Sequence, residues 1–133
     1  MDSPLLGMDL ETICNLSGND LSAKYQEISS NKLPGQDFFS GLNASETETV
    51  HKCCLLLYVA SKGTKVPRIF QLEATLALLA GRDCLINAGT GSGKTLCMVL
   101  PALLDPGLVS LVVSPLKRLQ LLQVNVLSSF RTY

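Results

Sequence analysis

The sequence predicts an α/β domain built on a parallel sheet, and three observations carry that prediction. A glycine-rich segment, Ala88-Gly89-Thr90-Gly91-Ser92-Gly93-Lys94-Thr95, lies between a short apolar run and a helical one. A second run of leucine and valine, residues 108–114, has the look of a strand buried on both faces. Around them apolar residues recur at spacings of three and four, the mark of helices laid on such a sheet.

Taken in order, residues 1–44 are rich in Ser, Asn, Asp and Gly and read as an acidic, weakly ordered leader with one short helix over 21–29. Lys32-Leu33-Pro34-Gly35-Gln36 is a turn. A helix then begins at Ser45, where Ser45-x-x-Glu48 has the form of a capping box, and Gly63 offers a stop. Val50, Cys53, Cys54, Leu57 and Tyr58 give it one buried face, which leaves His51 on the solvent side. Pro67 opens a second helix through Ala80, closed by Gly81, with Ile69, Leu72, Leu76 and Leu79 inward. A strand over 83–87 leads into the glycine-rich segment and a helix that Pro101 should bend or end. After the strand over 108–114, Pro115 starts a last helix carrying Leu116, Leu119, Leu122 and Val126 on one side.

Composition narrows the class. At 133 residues and 47% hydrophobic, the chain is about one small folded domain. Its net charge is zero but unevenly spread: residues 1–61 hold eight acids and three bases, and residues 62–133 the reverse. The basic half, which contains the glycine-rich segment, suits a polyanionic partner. No apolar run is long enough to span a bilayer and the first residues lack a secretory signal, which predicts an intracellular protein with no membrane partner. The five cysteines have no C-x-x-C spacing and read as reduced, buried side chains, and a lone histidine offers no metal cluster.

The glycine-rich segment predicts a nucleoside triphosphate with Mg²⁺. Glycines at 89, 91 and 93 let successive N–H groups point inward at phosphate oxygens, and a helix start adds its positive end. Lys94 would reach the β- and γ-phosphates, and the Thr95 hydroxyl would complete the shell of a phosphate-bound magnesium ion. A plain strand-to-helix turn is the competing account.

Three segments together carry a more specific likeness. Arg68-Ile69-Phe70-Gln71-Leu72-Glu73-Ala74, Gly81-Arg82-Asp83-Cys84-Leu85-Ile86 leading into the glycine-rich segment, and Leu111-Val112-Val113-Ser114-Pro115-Leu116 resemble the N-terminal part of a RecQ-like DNA helicase of superfamily 2, with DEAD/DEAH-type motifs, over about residues 66–124. The resemblance implies a partial RecA-like P-loop domain over 45–133, with ATP and Mg²⁺ as cofactors, single-stranded or forked DNA as partner, 3′–5′ unwinding and a nuclear location. Gln71 with Arg68 then matches the adenine-recognition motif; an amide can both donate to and accept from adenine. Without the family Gln71 reads as an exposed helix residue. Ala88, Gly89, Thr90, Gly91, Ser92, Gly93, Lys94 and Thr95 match the phosphate and magnesium site. Ser114, Pro115 and Lys117 match the segment that touches the backbone of a single strand, although Lys117 and Arg118 serve equally well as a solvated helix face.

Some positions depart from the family pattern. Pro67 stands where relatives usually have an aromatic residue, and Leu122-Gln123 where an Asp-Gln pair is common. Residues 96–133 hold a single acid, Asp105, so no Asp-Glu box follows the phosphate loop. In the family's sheet the strands corresponding to 83–87 and 108–114 are not neighbours, so here they must pair with each other or leave edges open. The expectation is a truncated helicase domain that binds ATP, hydrolyses it poorly by itself and is marginally stable. A non-catalytic nucleotide- or nucleic-acid-binding module and an unrelated phosphate-loop NTPase or kinase are the alternatives.

Overall fold

In a computed structural model of the chain, residues 4–29, 31–89, 93–105, 111 and 113 are described. Among the described residues, a 3₁₀ turn at Pro4–Gly7 is followed by six helices: α1 (Leu10–Asn15), α2 (Gly18–Gln26), α3 (Gln36–Ser40), α4 (Ala44–Ala60), α5 (Ile69–Leu79) and α6 (Leu96–Leu104). No strand occurs among the described residues.

That absence corrects the α/β, parallel-sheet, RecA-like reading. Residues 83–87 are irregular, and Leu85, placed by the sequence in a buried strand, is 97% exposed. A strand is stabilised by neighbours that complete its hydrogen-bond ladder and cover its faces. No described segment bonds alongside 83–87, so its apolar sequence stays without a sheet. Of the other expected strand, 108–114, Leu111 and Val113 are described; both are non-strand and exposed. The helix expected after Pro115 lies outside the described residues.

α4 organises what does form. Its N-terminus is fixed by a capping box at Asn43 and Glu46, two positions before the expected Ser45 and Glu48. Asn43 Oδ1 accepts from the Glu46 N–H at 2.8 Å, and Glu46 Oε1 accepts from the Asn43 N–H at 3.1 Å. Asn-x-x-Glu satisfies the same two orphan donors as Ser-x-x-Glu, and both spacings occur in this stretch. The helix ends at Ala60, after which Gly63 takes φ +82° and donates to the Tyr58 carbonyl at 2.7 Å.

Instead of one apolar face, α4 buries six consecutive residues, 53–58. A helix apolar all round belongs in the middle of a bundle. Leu5, Leu10, Ile13, Leu21 and Ile28 cover it from the N-terminal side, and Leu72 of α5 and Leu100 of α6 from the other. The Cys14 thiol donates to the Leu103 carbonyl at 3.1 Å, joining α1 to α6. Burial pushes the Cys53 thiol up to about 12 and the Cys54 thiol higher, so both stay protonated and behave as small apolar groups. Cys84, by contrast, is exposed. His51 is not on the solvent side: it is half-buried, stacked on Tyr25 with ring centroids 4.1 Å apart and flanked by Phe39 at 5.4 Å.

α5 starts two residues after Pro67 and is stopped by Gly81 at φ +78°, where the Arg82 N–H reaches back to the Ala77 carbonyl at 3.0 Å. Pro101 does not end α6, which runs on to Leu104. Proline removes one backbone bond from such a helix, and burial of Cys97, Val99 and Leu100 holds the segment against the core.

Candidate nucleotide site

The site forms where the first turn of α5 meets the start of α6. Arg68 precedes α5 in extended conformation, and its N–H would be an orphan donor at the helix start. Gln71 satisfies it: Oε1 accepts from the Arg68 N–H at 2.8 Å. The other end of the same amide crosses between elements, with Nε2 donating to the Gly93 carbonyl at 2.8 Å. Because one partner is a donor and the other an acceptor, the two bonds fix which way the amide points. Gln71 is 2% exposed, so the sequence's bland alternative of an exposed helix position is overturned.

Gly93 has the complementary constraint. Its φ is +88°, and a Cβ built on it would lie 2.6 Å from Gln71 Nε2. Glycine is therefore required both by the backbone and by the approach of the amide. Beyond it Lys94 is exposed and Thr95 half-buried; the Thr95 carbonyl accepts from the Met98 and Val99 N–H groups at 3.0 and 3.2 Å as α6 begins. Thr95 makes no capping bond through its hydroxyl.

Arg68, Gln71 and Gly93 share one cleft of about 670 Å³, a size that accommodates a nucleotide. Leu57, Val66 and Leu96 supply apolar lining. Part of the lining comes from Ser29, Asn31 and Lys32 and from residues 63–66, which the sequence marked only by a turn beginning at Lys32 and a helix stop at Gly63. After one bond at each end, the Gln71 amide retains one N–H and one acceptor lone pair. Of the remaining predicted residues, Ala88 and Gly89 lie in the irregular segment after α5. Thr90, Gly91, Ser92, Ser114, Pro115 and Lys117 fall outside the described residues.

The DEAD/DEAH box helicase family matches residues 68–133, beginning at the arginine beside Gln71. The RecQ-like DNA helicase BLM of Xenopus laevis is 38% identical over 96 residues, covering 72% of this chain and 7% of that protein. The ATP-dependent DNA helicase RecQ of Synechocystis is 54% identical over 57 residues, covering 43% of this chain and 12% of that protein. The chain carries part of a RecQ-like helicase. A more distant likeness extends to the probable ATP-dependent RNA helicase DDX52 of Mus musculus, 33% identical over 91 residues, 59% of this chain and 15% of that protein. The RecQ-like chain thus spans well under a fifth of the length of these relatives. No solved structure matches it. Among the described residues no helix is long and apolar enough to cross a membrane.

Proposed function

We propose that the chain is the ATP-binding and nucleic-acid-binding portion of a RecQ-like ATP-dependent 3′–5′ DNA helicase. The buried amide of Gln71, joined to Gly93 across 22 residues of sequence, is the observation that supports this reading most directly. It links the residue expected to read the base to the loop expected to hold the phosphates. The remaining N–H and lone pair of Gln71 are the pair that the N7 and N6 edge of adenine requires, and Arg68 stands beside it. The phosphates belong at Ala88, Gly89, Thr90, Gly91, Ser92 and Gly93, with Lys94 as their cation. Thr95 fits a nucleotide-borne magnesium ion, since its hydroxyl is not used to cap α6. When bound, that ion would neutralise charge on the β- and γ-phosphates. Ser114, Pro115 and Lys117 are proposed to touch a single DNA strand, in an intracellular and nuclear setting.

A titration of the full chain with a fluorescent ATP analogue tests the reading. Lys94→Ala should abolish saturable binding, and Gln71→Ala should weaken ATP more than CTP. Equal loss for both nucleotides would remove the adenine assignment.

A further inference from the structure

Tyr58 is a polar group of the cleft that the nucleotide reading leaves unused. It sits in the last turn of α4, ahead of the family match at Arg68, and lines the same cavity as Gln71 and Gly93. The residue is only 7% exposed and packs with the core. Its backbone is held in place through its carbonyl, which accepts from the Gly63 N–H at 2.7 Å and from the Ser61 hydroxyl at 3.2 Å. The ring carbon that bears the hydroxyl lies 3.5 Å from where a Cβ on Gly63 would stand, and Gly63 is itself part of the cleft wall.

A tyrosine buried this deeply ordinarily engages its hydroxyl in a hydrogen bond. Among the described residues none bonds to the Tyr58 hydroxyl, and no buried side-chain oxygen or nitrogen is left without a partner. Together these facts put the Tyr58 oxygen at an accessible surface, and the surface that its end of the ring borders is the cleft. Leu57, Val66 and Leu96 make this lining partly apolar. In such surroundings a hydrogen bond between uncharged groups is stronger than in water, whereas a phosphate chain calls for cations. With Gln71 at the base and the glycine-rich segment at the phosphates, the ribose is the part of the nucleotide left without a protein partner. A phenol can donate one hydrogen bond and accept another, and so can each ribose hydroxyl.

We infer that the Tyr58 hydroxyl hydrogen-bonds the ribose of the bound nucleotide, so that a residue ahead of the helicase match reads the sugar. This rests on the nucleotide reading above, and the experiment separates the two. The full chain and its Tyr58→Phe form, which lacks only the oxygen, are titrated calorimetrically with ATP, 2′-deoxy-ATP, 3′-deoxy-ATP and tripolyphosphate. Tyr25→Phe serves as the control, because Tyr25 is stacked on His51 and does not line the cleft.

The parent chain is expected to bind at least one deoxy form about three- to tenfold more weakly than ATP, the range of one uncharged hydrogen bond. Tyr58→Phe should bind ATP as weakly as the parent binds that deoxy form, with no further loss when the ribose hydroxyl is removed, and should hold tripolyphosphate as the parent does. Tyr25→Phe should match the parent throughout. If the parent binds ATP and both deoxy forms equally, or if Tyr58→Phe keeps the parent's discrimination or weakens every ligand alike, the tyrosine assignment is overturned and the nucleotide reading stands. If the parent chain does not bind ATP, the nucleotide reading fails and the inference with it.

Discussion

Replacing Gly93 by alanine tests the contact on which the site depends. The new methyl carbon would stand 2.6 Å from Gln71 Nε2, well inside van der Waals distance, on a residue whose φ of +88° disfavours any side chain. The backbone part costs about 1–2 kcal/mol. Displacing the amide breaks the 2.8 Å bond to the Gly93 carbonyl and leaves a group that is 2% exposed without a partner. Such a loss costs about 1–3 kcal/mol. The expected total is about 2–5 kcal/mol, read as a fall in the urea or thermal midpoint. In a Gln71→Ala background the methyl has nothing to strike, so Gly93→Ala should then cost only the backbone part. The double-mutant cycle should return a coupling of about 1–3 kcal/mol. Equal costs in the two backgrounds would refute the contact, whatever the nucleotide does.

Three further expectations concern the scaffold. Asn43→Ala should lower stability by about 1 kcal/mol through loss of the cap, while Ser45→Ala, at the second residue of α4, should leave urea unfolding nearly unchanged. Leu56→Ala, at a fully buried position, should cost about 2–5 kcal/mol, whereas Leu85→Ser should be close to neutral in the same assay; a large loss at Leu85 would show that 83–87 is buried after all. Burial holds the His51 pKa below 6.5 despite Glu48 nearby, so the unfolded chain binds the proton more readily. The neutral ring's contribution is therefore complete above pH 6.5 and is lost as pH falls toward the lowered folded value; pH-dependent melts of His51→Gln should lack that slope.

What the sequence revealed follows the distance over which each signal acts. The helices containing Val50, Leu72 and Leu100 were legible because their periods and caps are local. Even there, Asn43 and Ser45 offered competing caps at the same spacing, and only the packed helix chooses. Residues 83–87 failed as a strand because strand formation depends on partners elsewhere in the chain, which an apolar run cannot report. His51 was misplaced because its burial comes from Tyr25 and Phe39 on other elements. Arg68, Gln71 and Gly93 were found through motifs, and the structure brings them together. Lys32 and Lys65 line the same cleft but belong to no nucleotide-binding motif; their neighbourhood exists only after the chain has folded.

The encirclement of α4 bears on how this chain can be divided. The family match begins at Arg68, yet Leu72 and Leu100 belong to a core whose central helix, α4, precedes that point. A polypeptide cut at Arg68 would leave those side chains facing water, and a cut just before α4 would uncover the side of it that Leu5, Ile13 and Leu21 shield. The border of the family match therefore runs through the interior of the packed body, and the segments ahead of it are as much a part of the cleft's foundation as the motifs themselves.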